Sequence, residues 1–219
     1  PDEGTPCMKA VISHNPEALS VLFNGEKEDI TASYTDKTGY HSLISLICEI
    51  DVKKDFKKNL IDILTKARDM NIQIDPPSIP GMNQQGVCHW VCMYRDIDVA
   101  KLMFQTPGIN VNRIDKDFKT GASKLIEKKD KDVVEILDLL IANGYDIDGR
   151  YNQNSPTLLE SFVTAISKNY AAIQFLIDKG ANVDALHSKQ ENTRTKQRYT
   201  LREYVKDRGD SKLKKIFKV

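Results

Sequence analysis

Gly108-Ile109-Asn110-Val111-Asn112, Gly144-Tyr145-Asp146-Ile147-Asp148 and Gly180-Ala181-Asn182-Val183-Asp184 end a hydrophobic, helix-like run and turn in the same way, and their glycines are 36 residues apart, twice. A fixed period in the range of about 20–50 residues, in units too small to bury their own apolar face, is the pattern of a solenoid whose core lies between stacked neighbours. Short apolar blocks precede each glycine: Leu102-Met103-Phe104, Leu139-Leu140-Ile141 and Phe175-Leu176-Ile177. Glycine suits the left-handed residue that ends a helix, where a Cβ would clash. Asn71-Ile72-Gln73-Ile74-Asp75 is a fainter copy, since Asn tolerates the same backbone region, and Gly25 to Thr31 is a slightly lengthened one.

The other half of the repeat shows in Gly4-Thr5-Pro6-Cys7-Met8-Lys9-Ala10-Val11, in Gly39-Tyr40-His41-Ser42-Leu43-Ile44-Ser45-Leu46, in Gly86-Val87-Cys88-His89-Trp90-Val91-Cys92 and in Thr200-Leu201-Arg202-Glu203-Tyr204-Val205. These resemble the Thr-Pro-Leu-His-x-Ala pattern of ankyrin repeats, with Cys7 and Met8 in place of Leu and His. The resemblance covers essentially the whole chain and rests on the periodicity, because no single copy matches well. It implies an all-α ankyrin-repeat solenoid of about six helix-turn-helix units with projecting loops: 2–34, 35–80, 81–114, 115–150, 151–187 and 188–219. In the overlong second unit, Phe56, Leu60, Ile63, Leu64 and Ala67 fall on one helical face. Pro76, Pro77 and Pro80 exclude helix and central strand and predict an irregular finger.

Composition agrees, with 40% hydrophobic, 7% aromatic and 29% charged residues. No apolar run reaches the length of a membrane span, and no basic-then-apolar signal peptide opens the sequence. Pro1 is not an initiating residue, so a single repeat domain excised from a longer protein is expected. Cys7, Cys48 and Cys88 lie in apolar helical segments and read, with Cys92, as buried free thiols of a reducing compartment. Cys88 and Cys92, at i and i+4, supply only half of a four-ligand zinc site. Cys88 and His89 are adjacent on a helix and point about 100° apart, which argues against a thiolate-base pair. His89 instead occupies the family slot whose ring, by resemblance, hydrogen-bonds loop backbone. No phosphate loop, Ser–His–Asp order or paired-carboxylate motif stands out. Neither catalysis, nor a cofactor, nor a metal is expected.

Residues 188–219 carry eleven Lys or Arg against four acids, a net +7, which leaves −6 for the rest of a +1 chain. A charged terminal cap explains this, since the last repeat lacks one neighbour. The alternative is an anchor for an anionic lipid surface, a nucleic acid or an acidic partner. Few aromatics interleave with the charge, so nucleic acid is not expected.

The resemblance further implies a partner-binding face on the loops and first helices. The loop tips are Tyr34 to Lys37, Pro76 to Gln84, Arg113 to Phe118, Tyr151 to Gln153 and His187 to Arg194. Tyr34, Asp36, Lys37, Arg113, Asp115, Phe118, Tyr151 and Gln153 are the candidate contacts there. Alignment of Cys88-His89-Trp90-Val91 with the family pattern puts Trp90, the one tryptophan, at a slot commonly turned to the groove, with Tyr94 one turn on. The competing reading is that Trp90 fills a gap beside the Pro-rich loop. The expected function is a non-catalytic, monomeric protein-interaction module, or else the targeting half of a larger enzyme. Degenerate repeats rich in Lys, Asp, Ile and Asn resemble ankyrin proteins of intracellular bacteria, protists and large DNA viruses. A cytoplasmic location is expected, in a host cytosol if the chain is a secreted effector.

Overall fold

Short helices leave their first N–H and last C=O groups without internal partners, and this chain meets that need by repeating the same end devices. The computed structural model describes residues 4–36, 39–50, 55–75, 85–126, 128, 131–152, 155–191 and 198–219. They form two compact bodies that meet in sequence between Lys124 and Leu125. The first runs through α1 (Pro6–Ile12), α2 (Pro16–Leu22), α3 (Lys27–Thr31), β1 (Ser33–Asp36), β2 (Gly39–Ser42), α4 (Leu43–Ile50), α5 (Lys57–Asp69), α6 (Val87–Tyr94) and α7 (Ile97–Gln105). The second holds α8 (Asp132–Ala142), α9 (Leu158–Thr164), α10 (Tyr170–Asp178), β3 (Leu186–Glu191), β4 (Arg198–Thr200), α11 (Leu201–Arg208) and α12 (Ser211–Phe217). A 3-10 helix at Gly121–Leu125 carries the boundary.

First helices start from a small cap. The Met8 N–H donates to Thr5 Oγ1 (3.4 Å), Ser45 N–H to Ser42 Oγ (3.2 Å), Glu160 N–H to Thr157 Oγ1 (3.2 Å) and Glu203 N–H to Thr200 Oγ1 (3.2 Å). Glu203 returns the bond from Thr200 N–H at 2.8 Å, a full capping box. Four second helices use Asx caps, Asn15 on α2, Asp96 on α7, Asn169 on α10 and Asp210 on α12, while α5 and α8 start without a side-chain cap. Thr157 starts its helix without the Leu-His pair of the family pattern.

All five predicted turn residues are left-handed: Gly25 (φ 80°), Asn71 (54°), Gly108 (76°), Gly144 (86°) and Gly180 (94°). After α5, α8 and α10 the same pair of bonds closes the helix, as in Tyr145 N–H to Leu140 C=O (3.0 Å) with Gly144 N–H to Ile141 C=O (3.1 Å). Past Gly25 the chain makes the extra turn α3 instead of only a longer loop, burying Ile30.

The extended residues after each turn then lock successive repeats. The side chains of Asn110, Asp146 and Asn182 accept from the N–H two residues on, at 3.0, 3.2 and 2.9 Å. Asp75 accepts from Asn110 N–H (3.3 Å) and Asp148 from Asn182 N–H (2.9 Å), each one repeat further along. In the first body α4 packs against α1 and α6, and α5 against α2 and α7. Leu43, Ile47, Leu60, Ile63 and Leu64 fill that core. In the second body α10 packs on α8, α9 and α12, around Leu137, Leu140, Phe162, Ile173 and Leu176. Full burial of one such side chain contributes about 1.5–3 kcal/mol.

Candidate partner-binding fingers

Among the described residues the best-built loop is the finger after α7. Ile114 and Thr120 form an antiparallel bridge. Between them Asp115 N–H donates to Lys119 C=O (2.9 Å) and Phe118 N–H to Asp115 C=O (3.0 Å). The Asp115 carboxylate turns inward and accepts from Asp117 N–H (2.9 Å) and Lys119 N–H (3.0 Å). The fully buried His89 then ties helix to finger. Its Nδ1 accepts from Gly86 N–H (3.2 Å), which leaves Nε2–H to donate to Lys119 C=O (2.9 Å). Burial pushes the imidazole below its ordinary value, the Lys119 bond opposing. With both nitrogens spent on backbone, His89 has none to offer as a base to Cys88 or Cys92. Gly86 carries no side chain because a Cβ there would lie 2.6 Å from Asp75 Oδ1 and 2.7 Å from Arg113 Cδ.

The tip of this finger is Lys116, Asp117, Phe118 and Lys119, all exposed. Phe118 is 48% exposed and holds φ at 57°. A bulky side chain in the left-handed region is an outlier that costs about 1 kcal/mol or more. Solvent-exposed aromatic surface and backbone strain therefore coincide at one residue.

The other candidates divide. Arg113 is largely covered, 3.8 Å from the Asp75 carboxylate, and Asp115 is buried as the finger's internal brace, so neither is a free contact. Tyr34, half-buried, stacks on His41 across the β1–β2 hairpin with ring centroids 4.9 Å apart. Tyr151 is half-buried and folds back over Gly149, where a Cβ would stand 2.9 Å from its hydroxyl. Asp36 ends β1, its side chain outside the described residues; Lys37, Gln153 and the loop 76–84 lie outside them altogether.

Trp90 and Tyr94 correct the sequence reading. They are 1% and 4% exposed. Seven of the eight residues of α6 are buried, His89 among them, so this helix has no outward slot. Its sequence Val87-Cys88-His89-Trp90-Val91-Cys92-Met93-Tyr94 has no strongly polar face, and a helix apolar all round is buried.

All four cysteines are free and buried. Burial, with Asp29 adding, pushes the Cys7 thiol up to about 11, and a hydrogen bond with Cys88 followed by burial raises Cys92. Among the described residues no group of three or more His, Cys, Asp or Glu is placed to hold a metal ion. No helix of the described residues is long and apolar enough to cross a membrane.

Sequence reasoning missed a second polar core, on α9. Glu160 sits three residues after its Thr157 cap, as His89 does after Gly86, and is buried. It receives Ser188, His187 and Arg150. At the basic end, Arg202 grips Asp184 through Nε at 2.7 Å and donates to Phe217 C=O, while Lys212 lies over the Tyr170 ring at 4.3 Å. These two cations tie the last repeat to the one before it; Lys206, Lys215 and Lys218 face solvent.

No family model matches the chain, and no curated protein sequence matches it. Solved structures do. The ankyrin repeat domain of Bcl-3, a member of the IkappaB protein family, aligns over 99% of this chain and 86% of that one at 18% identity, with a TM-score of 0.62. EF0377, an ankyrin repeat protein, covers 97% of this chain and 96% of its own at 15% identity and a TM-score of 0.64. A chain from the complex of the predatory endopeptidase Bd0816 of Bdellovibrio bacteriovorus with immunity protein Bd3460 covers 98% and 97% at 17% identity and a TM-score of 0.59. Near-complete coverage joins the repeated caps, left-handed turns and helix pairs to one conclusion: this chain has the ankyrin-repeat fold.

Proposed function

We propose that the chain is a non-catalytic protein-binding module, and that Phe118 on the finger after α7 is its principal anchor. The single observation that carries this reading is the coincidence at Phe118 of 48% exposure with a left-handed backbone. Strain of this kind persists only where the surroundings over-determine it, and it clusters at sites of contact. Here Asp115 and His89 supply the over-determination, so the ring is presented on a rigid mount and loses little freedom on binding. The exposed Lys116, Asp117 and Lys119 around it carry a net +1, which suits an apolar pocket whose rim is acidic on balance. One of the similar solved chains comes from a two-protein complex, in keeping with a binding role for the fold.

The test is selection of a displayed random-peptide library on the immobilised protein, with Phe118→Gly protein as counter-target. Peptides that pair acidic with apolar residues and lose at least tenfold in affinity on Phe118→Gly are expected; tenfold is about 1.4 kcal/mol. Selected peptides that bind both proteins alike would move the site elsewhere.

A further inference from the structure

The finger of the last repeat is fastened differently from the one that carries Phe118. In the slot where His89 donates to a finger carbonyl, Glu160 accepts instead. Its Oε1 takes the Ser188 N–H (2.9 Å) and the Ser188 hydroxyl, and lies 3.2 Å from His187 Nδ1. Its Oε2 faces Arg150 Nη2 at 3.2 Å. Arg150 also donates to Ser155 C=O (2.7 Å) and to Leu186 C=O. Leu186, His187 and Ser188, the first half of β3, are thus all held by one carboxylate and one guanidinium. The His187 ring is buried, tilted against Tyr204 of α11 with centroids 4.7 Å apart.

Among the described residues, one carboxylate and two guanidinium groups act on that ring. Glu160 comes from α9, Arg150 from the loop before it, and Arg208 from α11, where Tyr204 also packs. One carboxylate already serves Arg150 and both Ser188 donors. An imidazolium here would be a second buried cation beside that guanidinium, and removing a charge from water is costly unless it is fully paired. We infer that the Glu160–His187–Ser188 cluster is an acid-sensitive latch: proton uptake by the buried His187 loosens β3 from α9 and frees the last finger.

The direction of titration supports the geometry. Burial, the largest cause, pushes His187 below its ordinary value, Glu160 pulls it back up, and Arg150 and Arg208 push it down. The latched state therefore binds fewer protons than the opened one. Its stability is complete above a pH of about 6.5 and is lost as pH falls through that value toward the latched one. One proton gives an opening equilibrium that rises by up to about tenfold per pH unit in that window.

Hydrogen exchange of the full chain between pH 7.5 and 5 tests this, read on peptides covering 186–191 and corrected for intrinsic exchange. Protection should fall by up to about tenfold per pH unit below 6.5 in wild type and stay level in His187→Phe. Level protection in wild type, or the same slope in the variant, overturns the latch. A ring titration of His187 by NMR in the wild-type protein needs no substitution. A midpoint below 6.5 with the Ser188 amide moving in step supports the latch, and a midpoint at or above 6.5 overturns it.

Discussion

His89→Ala removes the link between α6 and the Phe118 finger, and its cost follows from the bonds lost. Two hydrogen bonds go, at 3.2 and 2.9 Å. Each contributes about 1 kcal/mol net. Lys119 C=O keeps the Asp115 N–H as a donor, so the group left wanting is Gly86 N–H, for about 1 kcal/mol more. The vacated ring space in a fully buried site adds about 1 kcal/mol. The expected loss is about 4 kcal/mol at pH 7.5. Because burial holds His89 below its ordinary value, the native state is the one that resists protonation. Wild type therefore keeps the full benefit above about pH 6.5 and loses it as pH falls, so the gap between wild type and variant should narrow toward pH 5. Urea unfolding followed by the fluorescence of Trp90, the one tryptophan, measures both quantities. A loss under about 1 kcal/mol at pH 7.5, or a gap that does not change with pH, would refute the account of His89.

Further substitutions probe separate links. Trp90→Ala should cost about 3–5 kcal/mol, as a core truncation does, checked by thermal and urea melting. Leu140→Asp should unfold the second body's core by burying a charge without a partner, at several kcal/mol, visible as lost helicity in far-ultraviolet circular dichroism. Gly86→Ala should destabilise by about 1–3 kcal/mol, because its Cβ would press Asp75 and Arg113 apart at 2.6 and 2.7 Å; a neutral melting curve would show that the contact yields. Cys7, at about 11, should resist a thiol reagent at pH 8 until urea unfolds the chain, the absorbance of the released thiolate being the readout.

The helix ends were legible because they are set by neighbouring residues. A left-handed turn favours glycine or asparagine, so Gly25, Asn71, Gly108, Gly144 and Gly180 can be placed from sequence, whereas His14, Arg95 and Lys218 take the same backbone at helix ends without that signal. The Thr157 start was there to read as well, since Thr followed three residues later by Glu is a capping signal. Orientation was not legible in the same way. The family slot leaves Trp90 open to the groove or to a gap beside the Pro-rich loop, whereas its burial is decided by every face of α6, and no face of Val87–Tyr94 is strongly polar. Phe118 could be named as a tip residue, but its left-handed backbone depends on Asp115 and His89 closing the finger, 30 residues apart for the His89–Lys119 bond. Glu160 and His187, 27 positions apart, are brought together only by the return of β3 across α9.

The central claim is that Phe118 is kept for contact and not for stability, and one pair of readings on Phe118→Gly tests it. Glycine relieves the left-handed backbone but adds freedom to the unfolded chain, two effects of about 1 kcal/mol and opposite sign. The account predicts a melting free energy within about 1 kcal/mol of wild type, together with at least tenfold weaker binding of peptides selected on the wild-type protein. A variant destabilised by more than about 2 kcal/mol that still binds those peptides as wild type does would make Phe118 a packing residue and contradict the claim.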